Sequence, residues 1–338
     1  MKRRELLKQM GSVGAAGAMG VLMAGGQQAR AAAKGIDRPA TGANIRGPYI
    51  DLTTGVGNKI GYTRTQSDLD PGKQKHGWFK GYVMAVRPDK ATQDIFGFEG
   101  LSTSRVKVLE DGSFLKLLRE VGLYTDLKTG EVMESWHNPF LDEEVKVVPI
   151  ANDPFNFVYT EFEQGSPMNA GRPHGEGPFL LPWQQRGGRL DLETHVHLRY
   201  PNLLDPEKWP RESSGPFVVA SEFMAMHCSA ADMQNPDLTS VRVHGTWNRT
   251  SPWLPWMLMG PTPGFCMYST FFGIGDDLEQ VHSRQLLDYV EKNYPQYFEA
   301  PKDWDGGPNR SSLAGASFVG ARSATESYRR DTGRYSSC

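Results

Sequence analysis

The chain has 338 residues, 38% of them hydrophobic, with 37 Lys+Arg against 39 Asp+Glu and a mean hydropathy of −0.50. There is no basic excess for a phosphate backbone to draw on, which excludes a nucleic-acid partner as the first reading. Three cysteines, Cys228, Cys266 and Cys338, are odd in number and too few for a disulfide framework. Cys228 and Cys266 both lie in strand-like runs, and two buried free thiols are preferred there to a bridge.

The chain opens M-K-R-R-E-L-L-K, passes through the Gly- and Ala-rich run Gly11 to Gly26, and reaches A-R-A-A-A at Ala29 to Ala33. A basic start, a short apolar stretch and small residues at the end describe an export signal; the apolar run is too short and Gly-rich for a stable membrane anchor. Arg3 and Arg4, with Leu6, Leu7 and Lys8 behind them, resemble the twin-arginine signal. Lys2 stands where Ser or Thr is usual, and Leu6 where Phe is commonest. Residues 1–33 are therefore expected to engage the twin-arginine translocation machinery and to be cleaved near Ala33, leaving a periplasmic protein. Subtracting the five basic residues and one acid of that segment leaves 32 Lys+Arg against 38 Asp+Glu.

Residues 34–75, rich in Gly, Thr, Asp and Pro, show neither helical nor strand period and read as an irregular lead-in. From His76 extended patterns dominate. G-W-F-K-G-Y-V-M-A-V-R ends at Pro88, Asp94 to Leu109 is a second strand, and Gly112 to Glu120 reads as a short helix. Leu123 to Asp126, the turn L-K-T-G and E-V-M-E-S-W-H-N predict a hairpin turning at Gly130. E-V-K-V-V-P-I and F-N-F-V-Y-T-E-F, which carries Tyr159, follow as strands. The segment Gly165 to Gly188 is a long loop with R-P-H-G-E-G (Arg172, His174, Glu176), a loop length that suits a lid or binding loop.

That loop leads into R-L-D-L-E-T-H-V-H-L-R-Y, Arg189 to Tyr200. On a strand its apolar residues share one face, while Asp191, Glu193, His195, His197 and Arg199 share the other. Either this polar face lies in water or it lines a solvated cavity inside a barrel. An irregular crossover precedes F-V-V-A-S-E-F-M-A-M-H-C, and S-V-R-V-H-G-T-W-N-R repeats the division, with Arg242, His244, Thr246 and Asn248 on one side and Val241, Val243 and Trp247 on the other. After F-C-M-Y-S-T-F-F-G, Asp276 or Asp277 caps a helix whose stripe Leu278, Val281, Leu286, Tyr289, Val290 ends before Pro295. Residues 301–338 turn polar and read as a disordered tail. The fold class expected is mainly β: a single domain over 76–300, an antiparallel β-barrel of calycin-like form or a sandwich, with one C-terminal helix.

The blocks D-L-K-T-G-E-V-M-E-S-W-H-N-P-F, P-N-L-L-D-P-E-K-W-P-R-E-S-S-G and W-N-R-T-S-P-W-L-P-W-M-L-M-G resemble the bacterial family catalogued as domain of unknown function 1838. The resemblance runs from about Gly77 to Pro301 and implies a shared fold and export. It brings no activity and no catalytic residue.

The residues themselves point to a small, partly hydrophobic ligand, aromatic or terpenoid-sized, in a polar-lined cavity. His195, His197, Glu193, Asp191 and His244 are the candidate acid–base groups of a lyase, isomerase or hydratase working without a cofactor, an imidazole being tuned by a neighbouring carboxylate. Arg199, Arg242, Trp247, Glu222 and Tyr159 are the candidate substrate-binding residues, the guanidiniums for oxyanions and the rings for apolar walls. A Zn or Fe centre on His195 and His197, with Glu193, His244 or Glu222 as third ligand, is the metalloenzyme alternative. A non-catalytic periplasmic carrier or sensor is the other.

Overall fold

The computed structural model describes residues 50–162, 177–202 and 204–304. The expected export signal over residues 1–33, residues 34–49 of the lead-in, Arg172, His174 and Glu176, and the tail from 305 lie outside the described residues.

The strands in chain order are β1 (Lys75–Val86), β2 (Gln93–Val108), β3 (Phe114–Thr125), β4 (Ser135–Asn138), β5 (Glu143–Lys146), β6 (Ile150–Asn152), β7 (Phe157–Tyr159), β8 (Trp183–Arg186), β9 (Arg189–Pro201), β10 (Phe217–Ser229), β11 (Val243–Ser251) and β12 (Phe265–Ile274). All but β4 and β5 form one sheet, ordered β6-β3-β2-β1-β12-β11-β10-β9-β8 with β7 also on β3, and every pairing is antiparallel. Among the described residues β6 and β8 stand at opposite ends of this order and do not pair. The mainly β, antiparallel expectation holds.

One face of the sheet packs inward. Phe79, Val83, Phe96, Phe98, Met224, Met226, Trp247, Tyr268 and Phe272 alternate with outward residues and belong to one buried cluster. Two glycines let its rings lie flat across neighbouring strands: a Cβ on Gly100 would sit 2.3 Å from Phe79, and one on Gly122 2.9 Å from Phe98. Among the described residues the opposite face is covered around β2 and β3, where Leu101, Val121 and Leu123 meet Leu278, Leu286, Leu287, Val290 and Tyr297, with Trp78 of β1 and Ala151 of β6 at the margin.

Those covering residues come from α3 (Leu278–Val281), α4 (Arg284–Asn293) and the following Pro295–Phe298 turn. The single C-terminal helix is thus two pieces. Asp277 caps the first, and Ser283 restarts the chain by accepting from the Leu286 amide.

Three expectations are corrected. Part of the lead-in is helical: α1 (Gly55–Gln66) is capped by Thr54, but its three glycines and two threonines give it poor propensity and no amphipathic stripe. Packing holds it instead. Asn58 accepts from the Leu181 amide at 3.0 Å and the Trp183 indole at 2.9 Å, while donating to the Leu52 carbonyl at 2.7 Å. Arg64 donates to the carbonyls of Met233 and Asn235 at 2.8 and 2.9 Å, around α2 (Ala230–Gln234). Second, Gly112 to Glu120 enters β3 rather than a helix; that strand is buried on both faces, so its apolar run lacks a two-residue period. Third, the hairpin does turn at Gly130, its arms joined by Asp126 N–H to the Glu131 carbonyl and Met133 N–H to the Tyr124 carbonyl, both 2.9 Å, around the Thr125–Val132 bridge, but its second arm does not continue on β3: β4 pairs with β5 instead. Cys228 and Cys266 are free and buried.

Candidate functional site

In β9 the greasy face packs where the hydrophobic effect sends it: Leu190 and Leu192 are buried opposite Cys228 and Met226 of β10. The polar row is therefore on the outer face. His195, His197 and Arg199 are exposed, opposite Phe223, Ser221 and Val219 respectively. The expected chamber lined by this row is corrected accordingly, since the interior is filled by the aromatic cluster. Asp191 is buried at the strand's start and bracketed by Arg186 at 2.5 Å and Arg189 at 2.7 Å, so it serves the β8–β9 hairpin rather than His244. Glu193 is half-buried beside Ala225.

The metal set does not converge. Glu222 lies on the inner face and His244 two strands away, while the Phe223 ring stands 5.1 and 5.5 Å from the His195 and His197 rings. Among the described residues no three His, Cys, Asp or Glu side chains are placed to hold an ion.

What the row does border is a cleft. Where β10 and β11 meet the Pro- and Trp-rich loop after β11, a cleft of about 440 Å³ is lined by Phe217, Val219, Thr250, Trp253, Pro261 and Phe265 among others, none of them charged. The loop is shaped by its own chemistry. Trp253 donates its indole N–H to the Thr262 carbonyl at 2.9 Å, and Gly264 adopts φ +131 under the Trp253 ring, 2.5 Å from where a Cβ would be. Phe217, Val219 and Phe265 stay exposed, Val219 at 58%. On the β9 side Arg199 lies over the Phe217 ring, its guanidinium carbon 3.6 Å from the centroid. One row further, His197 Nδ1 and Ser221 Oγ are 3.0 Å apart.

A second polar cluster sits at the other end of the same face. Asp276 accepts from Trp78 Nε1 at 2.6 Å, from His244 Nε2 at 2.9 Å and from Arg242. Burial works to raise this carboxyl, and the three donors outweigh it, holding it below the usual carboxylate range. Bonded through Nε2, the half-exposed His244 leaves Nδ1 as its other ring nitrogen, an orientation that suits a general base. His227 is its cross-strand neighbour, ring centroids 6.4 Å apart. From Thr250 to His244 is six strand residues, roughly 20 Å, so the cleft and this pair are separate. Asp276 was legible only as a helix cap; Asp277 takes that role and frees it.

Glu222, Trp247 and Tyr159 face inward. Glu222 pairs with Arg249, both side chains almost fully buried, and Trp247 Nε1 lies 3.4 Å from Glu222 Oε2. Burial pushes the Glu222 carboxyl up, against Arg249. Tyr159 packs edge-on against Tyr62 at 5.5 Å. The three are core residues here, not walls of the cleft.

The fold and its outer cleft define a large antiparallel β protein with an apolar surface site and an imidazole–carboxylate pair. The chain belongs to the family described as Protein of unknown function (DUF1838), whose model matches residues 72–317. That match confirms the resemblance carried by the three blocks, the last of which contributes Thr250 to Trp253 and Gly260 to the cleft. No curated protein matches the sequence.

Proposed function

We propose that the chain is an exported protein that binds a small, partly hydrophobic molecule in the cleft between the Trp253–Phe265 loop and the outer face of β10. The cleft itself carries this reading: about 440 Å³ with aromatic and proline walls, in the size range of small-molecule sites. Large apolar side chains left exposed together are best explained by something that covers them. Taking the sheet as one wrapped layer of calycin-like form, α1 and the aromatic cluster occupy its inside, and the ligand is left the outside. Arg3-Arg4 and the A-R-A-A-A end support export to the periplasm. If the protein also turns its ligand over, as a lyase or isomerase would, His244 with Asp276 is the group set to move a proton.

N-phenyl-1-naphthylamine, a neutral fluorophore, tests the cleft directly. Wild-type protein is expected to bind it, and Val219→Glu, which puts a carboxylate on the cleft floor, to abolish the signal. Phe271→Ser removes a still more exposed apolar group, 66% exposed on β12 and outside the cleft, and should change nothing. Equal loss in both variants, or in neither, sinks the assignment. Turnover, where found, should be lost in His244→Gln while the fluorophore still binds.

A further inference from the structure

The lining of the cleft is uncharged, yet beside it stand two cations that no carboxylate among the described residues pairs with. Arg199 rests on the face of Phe217, a wall residue, and no carboxylate among the described residues pairs with it. Arg87 follows β1 and rests on Phe140, 4.3 Å from guanidinium carbon to centroid. Its side chain passes Gly264 of the cleft wall, 3.2 Å from where a Cβ would be. It too has no carboxylate partner among the described residues. Elsewhere on this protein, arginines that approach a carboxylate take it: Arg119 holds Asp153, Arg211 holds Glu143, Arg242 holds Asp276 and Arg284 holds Asp288. The two at the cleft are instead laid flat on rings. A guanidinium stacked in this way keeps its N–H edge turned sideways, with the planar fork that accepts a carboxylate's two oxygens.

We infer that the molecule taken by the cleft is an amphipathic carboxylate, its apolar body against Val219, Trp253 and Phe265 and its charge on Arg199. This rests on the binding role proposed for the cleft. Arg87, near the opposite wall, adds to the positive field without being the principal partner. His197, held to Ser221 one row along β9, borders Arg199 but is not needed to neutralise the ligand. The uncharged lining serves the same end. With no acid in the cleft to compete, the ligand carboxylate is the only anion the Arg199 edge meets there, and desolvation by the apolar walls strengthens that pairing.

The test compares 2-naphthoate with its neutral isostere 2-naphthamide by titration calorimetry, on wild type, Arg199→Met and Arg87→Met. Methionine keeps the packing on the rings and removes the charge. Naphthoate should bind wild type about tenfold more tightly than the amide, the worth of one charge-assisted hydrogen bond. Arg199→Met should erase that preference, weakening naphthoate far more than the amide. Arg87→Met should reduce it only about twofold, and rising salt should weaken naphthoate alone. Equal binding of the two compounds to wild type, or a preference that survives Arg199→Met, overturns the carboxylate inference while the cleft stands. Failure of both compounds and of N-phenyl-1-naphthylamine to bind folded wild-type protein overturns the cleft as well.

Discussion

Replacing Arg249 by Met isolates the buried charge of Glu222. Both side chains are at most 2% exposed, so Arg249→Met leaves a carboxylate in the interior with the Trp247 indole, at a long 3.4 Å, as its remaining polar contact among the bonds described above. Removing one partner of such a pair costs about 3–5 kcal/mol. The carboxyl has an escape: it can take a proton. Protonating a group of ordinary pKa near 4.3 at pH 7 costs about 4 kcal/mol, which caps the electrostatic part of the penalty. The variant should therefore lose about 3–4 kcal/mol at pH 7, measured by urea unfolding. Its Glu222 pKa is raised in the folded state, so the folded protein binds more protons than the unfolded chain above the normal carboxylate range. Stability then falls as pH rises, and the deficit should shrink to roughly 1 kcal/mol near pH 4.5. The double variant Glu222→Leu, Arg249→Met should recover most of the loss, because no charge is left to bury. A single-variant loss below about 1 kcal/mol at pH 7, or one that ignores pH, would refute the argument. Binding in the cleft should be untouched throughout, since the pair faces away from it.

Lys75 is enclosed with its ammonium on the carbonyls of Arg64 and Val241, at 3.0 and 2.7 Å, and burial pushes its pKa down to about 7, with Asp68 opposing. The unfolded chain then binds more protons between pH 7 and about 10. Stability should rise across that window, by at most about 5 kcal/mol, and urea midpoints for Lys75→Met should lose the slope; a flat wild-type profile counts against it. Export is checked by fractionation: replacing Arg3 and Arg4 together by Lys should hold full-length precursor in the cytoplasm, and mature protein appearing in the periplasm at normal yield would exclude the twin-arginine route.

Most of the large strands were legible because each keeps a two-residue period or a run bounded by turn residues; Lys75–Val86, Arg189–Pro201 and Val243–Ser251 all fall where the pattern puts them. The division of β9 and β11 into two faces was legible too. Which face turned inward was not, because alternation defines two sides without saying which one a core will cover. The side carrying Leu190, Leu192 and Trp247 won on apolar area. Helix α1 was hidden by its glycines, since its stability comes from Asn58 and Arg64 reaching residues more than a hundred positions away. The cleft was hidden for a related reason. Phe217 lies 36 residues before Trp253 in sequence, and only the β10–β11–β12 pairing brings it to the loop that carries Trp253 and Phe265.

The helical cover over Leu101, Val121 and Leu123 makes the sheet unequal along its width. Strands β2 and β3 are sealed on both faces, whereas β9 and β10 are sealed on one and β8 meets the rest of the sheet through β9 alone. Amide protons in the first pair should be harder to expose than those of β8 and β9, which need only a local opening at the sheet's end. Proteolytic nicking and deuterium uptake should therefore start at the β8–β9 end, beside the strand that carries Arg199, and reach the α4-covered β2–β3 pair last. A ligand seated on that margin would slow its opening in particular, and would register as protection of β9 before any change in the overall unfolding temperature.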